Sequence, residues 1–253
     1  MVDRSDMKRH RKLEPWLNDI RSLLADRTRA PRDYALARAA WDLFPFLDQL
    51  SRNASQTRAV LEVVGLLRAS DGAGRQVAEE QLMETLQRLA WQCSGCLEDT
   101  KAARLRHLDA LDQLRPELRS TFEVLRELRD FALACWEFKR PRDSFGGRRR
   151  ALAFDILAEV GRWVDLPQAV SLARRALRKT QSVEARQAAE FLQRYLAARA
   201  MSPDEATTEE LLALAHQTDS RSTAFGALNA LVETGTISEF EALDRLDDWK
   251  SRH

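Results

Sequence analysis

Apolar residues recur at three- and four-residue spacing nearly throughout the chain, and strand-like alternation is almost absent. That is the period of helices burying one face. It predicts about twelve helices, over 13–26, 32–50, 55–69, 75–93, 100–115, 117–138, 148–163, 167–179, 183–199, 208–217, 221–234 and 239–250. Cap chemistry marks several starts: Ser238 precedes Glu241 by three residues, the spacing of a capping box. Ser202 with Pro203 and Glu205, and Thr207 with Glu210, repeat the theme, and Pro167 stands where an opening helix tolerates proline. Gly72 and Gly74, Gly146 and Gly147, and Gly235 predict turns. Short connections imply antiparallel hairpins. Three regions follow: irregular helical hairpins over 1–138, a basic flexible loop over 139–147, and repeats over 148–253.

The repeats show in the residues themselves. Ala153-Phe-Asp-Ile-Leu157, Ala188-Ala-Glu-Phe-Leu192 and Ala224-Phe-Gly-Ala-Leu228 each set a small residue four positions before Leu, at offsets of 35 and 36. A period of this size with two helices per unit is the mark of an α-solenoid. Alanine admits a close neighbour, and leucine one turn later fills the groove between them.

The stretch Asp165-Leu-Pro-Gln-Ala-Val-Ser-Leu-Ala-Arg-Arg-Ala-Leu177, followed by Ser182-Val-Glu-Ala-Arg-Gln-Ala-Ala-Glu-Phe-Leu192, resembles one HEAT repeat. It is most similar to the short bacterial, armadillo-type repeat of phycobilin-lyase-like proteins, with helices of the form AVxxLxxAL and VRxxAAxxL. Val183, Ala188, Ala189 and Leu192 match; Ala185 precedes Arg186 where the pattern often has Val-Arg. The resemblance spans 148 to 253 and fades upstream of 140. It implies an all-α, right-handed α-solenoid of about six antiparallel hairpins, less regular in its N-terminal half. One helix of each pair would line an extended concave surface suited to elongated partners. HEAT motifs specify a fold and not a chemistry.

Composition agrees with this architecture. The 253 residues are 44% hydrophobic and 31% charged, rich in Ala, Leu, Arg, Glu and Gln, the strong helix formers. No apolar run approaches the roughly 20 residues that cross a bilayer, and the opening MVDRSDMKRHRKLEPW lacks the apolar stretch of a signal peptide. Three cysteines, Cys93, Cys96 and Cys135, make no disulfide framework. The expectation is a soluble, cytoplasmic protein. A net charge of +1 hides an uneven distribution: residues 139–199 hold 14 Lys and Arg against 6 acids, and 200–253 hold 4 against 11. A basic zone that could meet an anion is followed by an acidic end that would not.

Motifs for chemistry are few. Trp91-Gln-Cys93-Ser-Gly-Cys96 has the outline of a redox motif but closes a predicted helix instead of opening one, so small buried residues at a helix end are the better reading. No Ser/His/Asp set, phosphate loop or His-Glu-x-x-His occurs, so no enzyme, cofactor or metal is expected. Six tryptophans sit where they would seal gaps between helices. The most informative feature is the basic cluster: Lys139, Arg140, Arg142, Arg148, Arg149 and Arg150, extended by Arg186. These could hold an anionic partner by charge-assisted contacts, or simply form a solvated face. The leading expectation is a non-enzymatic protein-interaction scaffold or regulatory subunit. The alternative is a nucleic-acid-binding protein using 139–199. A third class, resembling HEAT-like DNA glycosylases, would need Trp163 beside Asp155 or Asp165.

Overall fold

The computed structural model describes residues 12–25, 30–69, 73–98, 116–137, 146–179, 183–199 and 201–252, and all regular structure among them is helical. Two compact units divide at Phe131 and Ala132, inside a helix and upstream of the 139–147 segment expected as the boundary. Of that segment, 139–145 lies outside the described residues, as does the helix expected over 100–115. Among the described residues no helix is long and apolar enough to cross a membrane.

The N-terminal unit is built from α1 (Leu13–Ala25), α2 (Ala30–Trp41), α3 (Leu47–Leu50), α4 (Ala54–Arg68), α5 (Ala73–Glu98) and the start of α6 (Pro116–Glu137). The single helix expected over 32–50 is broken. A short 3-10 turn, Phe44–Phe46, takes Pro45 in its first positions, because proline lacks the N–H that a continuing α-helix needs. Helix α5 packs on α2, α3 and α4, while α1 lies against α2 and α4. Trp16 fixes one of these contacts: its ring is fully buried and its Nε1–H donates to the Ala39 carbonyl at 2.8 Å. The α5 pattern runs past its expected end at 93 to Glu98. Cys93 and Cys96 therefore lie in the last two turns of α5, the helix end expected of them.

The C-terminal unit contains the end of α6 and α7 (Gly146–Val160), α8 (Pro167–Leu177), α9 (Val183–Arg199), α10 (Glu205–Gln217), α11 (Arg221–Glu233) and α12 (Glu239–Arg252). Gly146 and Gly147 open α7 instead of forming the expected turn. Helices α7, α9 and α11 pack side by side, α8 and α10 pack on each other and on α9 and α11 respectively, and α12 packs on α11. The three small-residue/leucine pairs fall on α7, α9 and α11, and every member is buried, from Ala153 at 0% exposure to Leu228 at 3%. An aromatic column runs through this layer: Trp136, Phe154, Phe191 and Tyr195 stand 4.2, 5.0 and 5.8 Å apart in succession. Such offset ring pairs add to plain area burial.

Local chemistry sets the helix ends. Ser238 accepts the Glu241 N–H at 3.1 Å, as its spacing predicts. For α10 the cap is Asp204, not Ser202 or Thr207; it accepts the Thr207 N–H at 2.8 Å. That hydrogen bond first, and the nearby Arg174 charge, hold the Asp204 carboxyl below its ordinary range against a smaller opposing effect of burial. Gly235 takes φ +70° in the turn after α11, a conformation only glycine adopts at no steric cost.

Candidate binding surfaces of the C-terminal unit

Among the described residues the basic zone is largely neutralised by carboxylates, most of them its own. Eight of its cations pair with carboxylates: Arg150, Arg162, Arg174, Arg178, Lys179, Arg186, Arg194 and Arg199. Arg174 and Arg178 converge on Glu210 at 3.3 and 3.2 Å, so the acidic end of the chain supplies counter-ions to the basic stretch before it. Arg194 pairs with Asp155, and Arg199 with Asp165.

The anion-binding residues expected from the sequence therefore separate. Lys139, Arg140 and Arg142 lie outside the described residues. Arg148 is exposed in the first turn of α7, but Arg149, its neighbour, is only 7% exposed. Arg149 is thus a buried side chain and not part of a solvated face. Arg150 bonds to Glu184 on α9 and lies over the Trp136 ring, 5.3 Å from its centroid. Arg186 lies 3.8 Å from Glu190 one turn along α9. Charge and packing hold Arg150, so its guanidinium is already committed within the fold.

Arg150 opens onto a cleft of about 430 Å³ among α6, α7, α8 and α9. Trp136, Leu172 and Ala176 form its apolar walls; Arg150, Arg175, Lys179 and Glu184 supply its charge. Glu184 is shared, since Lys179 also donates to it at 3.0 Å. Burial pushes the Glu184 carboxyl up, but the Lys179 hydrogen bond, the Arg150 and Lys179 charges and the Arg150 hydrogen bond outweigh it, and the group is held below its ordinary value. A lowered pKa in the fold means that its contribution is present at neutral pH and lost as pH falls through the folded value. Glu184→Gln should cost about 1 kcal/mol at pH 7. The difference in urea midpoint should shrink only as pH falls below the ordinary carboxylate range of about 4, where the parent carboxyl itself takes up a proton. A difference unchanged from pH 7 down to the most acid pH at which both proteins fold would disprove the coupling.

A second surface lies between α11 and α12. It is a groove of about 240 Å³ lined chiefly by Phe225, Leu228, Val232, Leu243 and Leu246, with the carboxylates of Glu233 and Glu239 in its walls. Phe225 is 55% exposed, Leu243 59% and the adjoining Phe240 74%. Periodicity alone missed this face. α12 carries Leu246 and Trp249 inward, with Trp249 donating to the Thr218 carbonyl at 2.6 Å, and leaves Phe240 and Leu243 outward. The signal was the surplus of apolar residues beyond one stripe.

The remaining expectations resolve simply. Cys93 is fully buried, and burial, with Cys96 adding to it, pushes its thiol well up, opposite to a reactive cysteine. Four tryptophans, Trp16, Trp136, Trp163 and Trp249, are buried as gap fillers, whereas Trp41 and Trp91 are 64% and 50% exposed. Asp155 and Asp165 are engaged by Arg194 and Arg199, and Trp163 is 8% exposed. Comparison with family models, with curated proteins and with solved structures gives no match.

Proposed function

We propose that this chain is a non-enzymatic interaction module, a scaffold or regulatory subunit whose C-terminal unit grips a protein partner. The observation that carries this reading is the α11–α12 groove, where Phe225 and Leu243 stand exposed in the walls of an apolar trough, with the exposed Phe240 three residues before Leu243 on α12. Large apolar side chains grouped on a surface mark interaction sites more often than chance exposure does, and a trough between two helices suits an amphipathic helix. The partner's chemistry follows from charge: residues 200–253 carry 11 acids against 4 bases, and Glu233 and Glu239 lie in the trough. The partner segment presents apolar anchors flanked by Lys or Arg. The side-by-side packing of α7, α9 and α11, with α8 and α10 paired beside them, supports reading this unit as a short HEAT-like α-solenoid that offers such a face.

The test uses the full chain and a Phe225→Ser/Leu243→Ser variant, both immobilised and challenged with the same host lysate. Both side chains are more than half exposed, so the variant should keep the parent's circular dichroism and melting temperature. At least one protein retained by the parent in near-stoichiometric amount should fall tenfold or more on the variant. Equal retention of the same proteins by both would refute the proposal.

A further inference from the structure

We infer that the cleft beside Trp136 is a binding site for a phosphate monoester carried on a planar apolar ring. This inference is independent of the groove between α11 and α12. It begins with a contrast on one helix. Arg174, Arg178 and Lys179 each find a carboxylate. Arg175, between them on α8, forms no ion pair among the described residues and faces the cleft. A cation without a counter-ion, in a zone where its neighbours are matched, is available to an anion.

The charge of the cleft specifies that anion. Arg150, Arg175 and Lys179 bring three positive charges, and Glu184, which bridges Arg150 and Lys179, returns one negative. The net of +2 matches the charge of about −1.5 to −2 on a phosphate monoester at neutral pH, and a carboxylate would leave half of it unbalanced. Glu184 also fixes Arg150 and Lys179 in place, so these two are ordered before any ligand arrives. Arg175 is the unpaired donor and supplies a planar fork suited to phosphate oxygens.

Shape specifies the rest of the ligand. At about 430 Å³ the cleft falls within the range of small-molecule sites and is far larger than a bare phosphate requires. Its remaining walls are the Trp136 ring, Leu172 and Ala176. The Arg150 guanidinium, which lies over the Trp136 ring 5.3 Å from its centroid, joins them. Flat apolar bodies are the natural occupants of such walls. A phosphorylated tyrosine side chain presents this chemistry; a nucleotide, whose phosphate is carried on ribose, does not.

Titration calorimetry of the full chain with phenyl phosphate tests this, with inorganic phosphate and benzoate as partial ligands. Phenyl phosphate should bind at one site per chain, at least fivefold more tightly than either partial ligand, and more weakly as salt is raised. Arg175→Gln should weaken it about tenfold while leaving the melting temperature within a degree, since Arg175 is exposed and unpaired. Phosphotyrosine should bind at least as tightly as phenyl phosphate, and tighter binding of AMP, whose phosphate is carried on ribose, would overturn the assignment. No saturable binding of phenyl phosphate at millimolar concentration would overturn the assignment. Equal binding by inorganic phosphate, or affinity unchanged in Arg175→Gln, would overturn it as well.

Discussion

Gly161→Ala is expected to destabilise the C-terminal unit by about 1–3 kcal/mol, the usual cost of forcing atoms into a packed interior. A fall of several degrees in melting temperature would report it. Gly161 follows α7, with its N–H donating to the Leu157 carbonyl at 2.8 Å. A Cβ here would lie 2.6 Å from Tyr195 Cδ2 and 3.1 Å from both the Leu157 oxygen and Leu166 Cδ1. The ring cannot simply swing aside. Tyr195 is 5% exposed, stacks on Phe191, and accepts the Leu166 N–H through its hydroxyl at 3.4 Å. Any retreat must displace the aromatic column, α8's first turn, or both. Gly65→Ala is the matched control: a Cβ there meets nothing within 4 Å, and inside α4 the change should stabilise by up to about 1 kcal/mol. If Gly161→Ala melts within a degree of the parent, the close approach of Tyr195 is not a constraint on the fold.

Periodicity carried the secondary structure far because helices report their buried face directly in sequence. The span over 183–199 agrees with α9 at both ends, where polar residues flank a dense apolar stripe. The failures have local causes. Pro45 sits in the middle of the helix expected over 32–50, and its missing N–H splits that helix; the residue was in plain view, outweighed by the apolar pattern around it. Gly146 and Gly147 open α7, because the first helical positions need no intrahelical N–H bond and tolerate glycine.

Surface chemistry was far less legible. Arg174, Arg175 and Arg178 look alike in sequence, yet Glu210 on α10 engages the first and third and leaves the second facing the cleft. Summed charge over a segment cannot register this, since the counter-ions sit about one repeat away. A sharper signal was present. The ion pairs Arg150–Glu184, Arg199–Asp165 and Arg174–Glu210 have separations of 34, 34 and 36 residues, close to the offsets of 35 and 36 between the alanine motifs. Opposite charges spaced at the period of an apolar repeat are candidates for contacts between successive units. Read that way, Arg150, Arg174 and Arg199 would have been assigned to packing before any fold was known.

The same repeat yields the second large effect. Ala188→Leu should destabilise the C-terminal unit by about 1–3 kcal/mol. Ala188 is fully buried on α9, the helix that packs against α7, α8 and α11 at once, so added methylenes have no side on which to relax. Leucine and alanine differ little in helix propensity, so the loss reports packing and not helix formation. Ala197→Leu supplies the comparison: it lies on the same helix, is exposed, and should change stability by less than about 0.5 kcal/mol. Urea midpoints of the two variants measure the difference on one helix with one chemical change. Equal midpoints would show that the small residue of the repeat does not set the helix spacing, and the register of the three motifs on α7, α9 and α11 would have no energetic meaning.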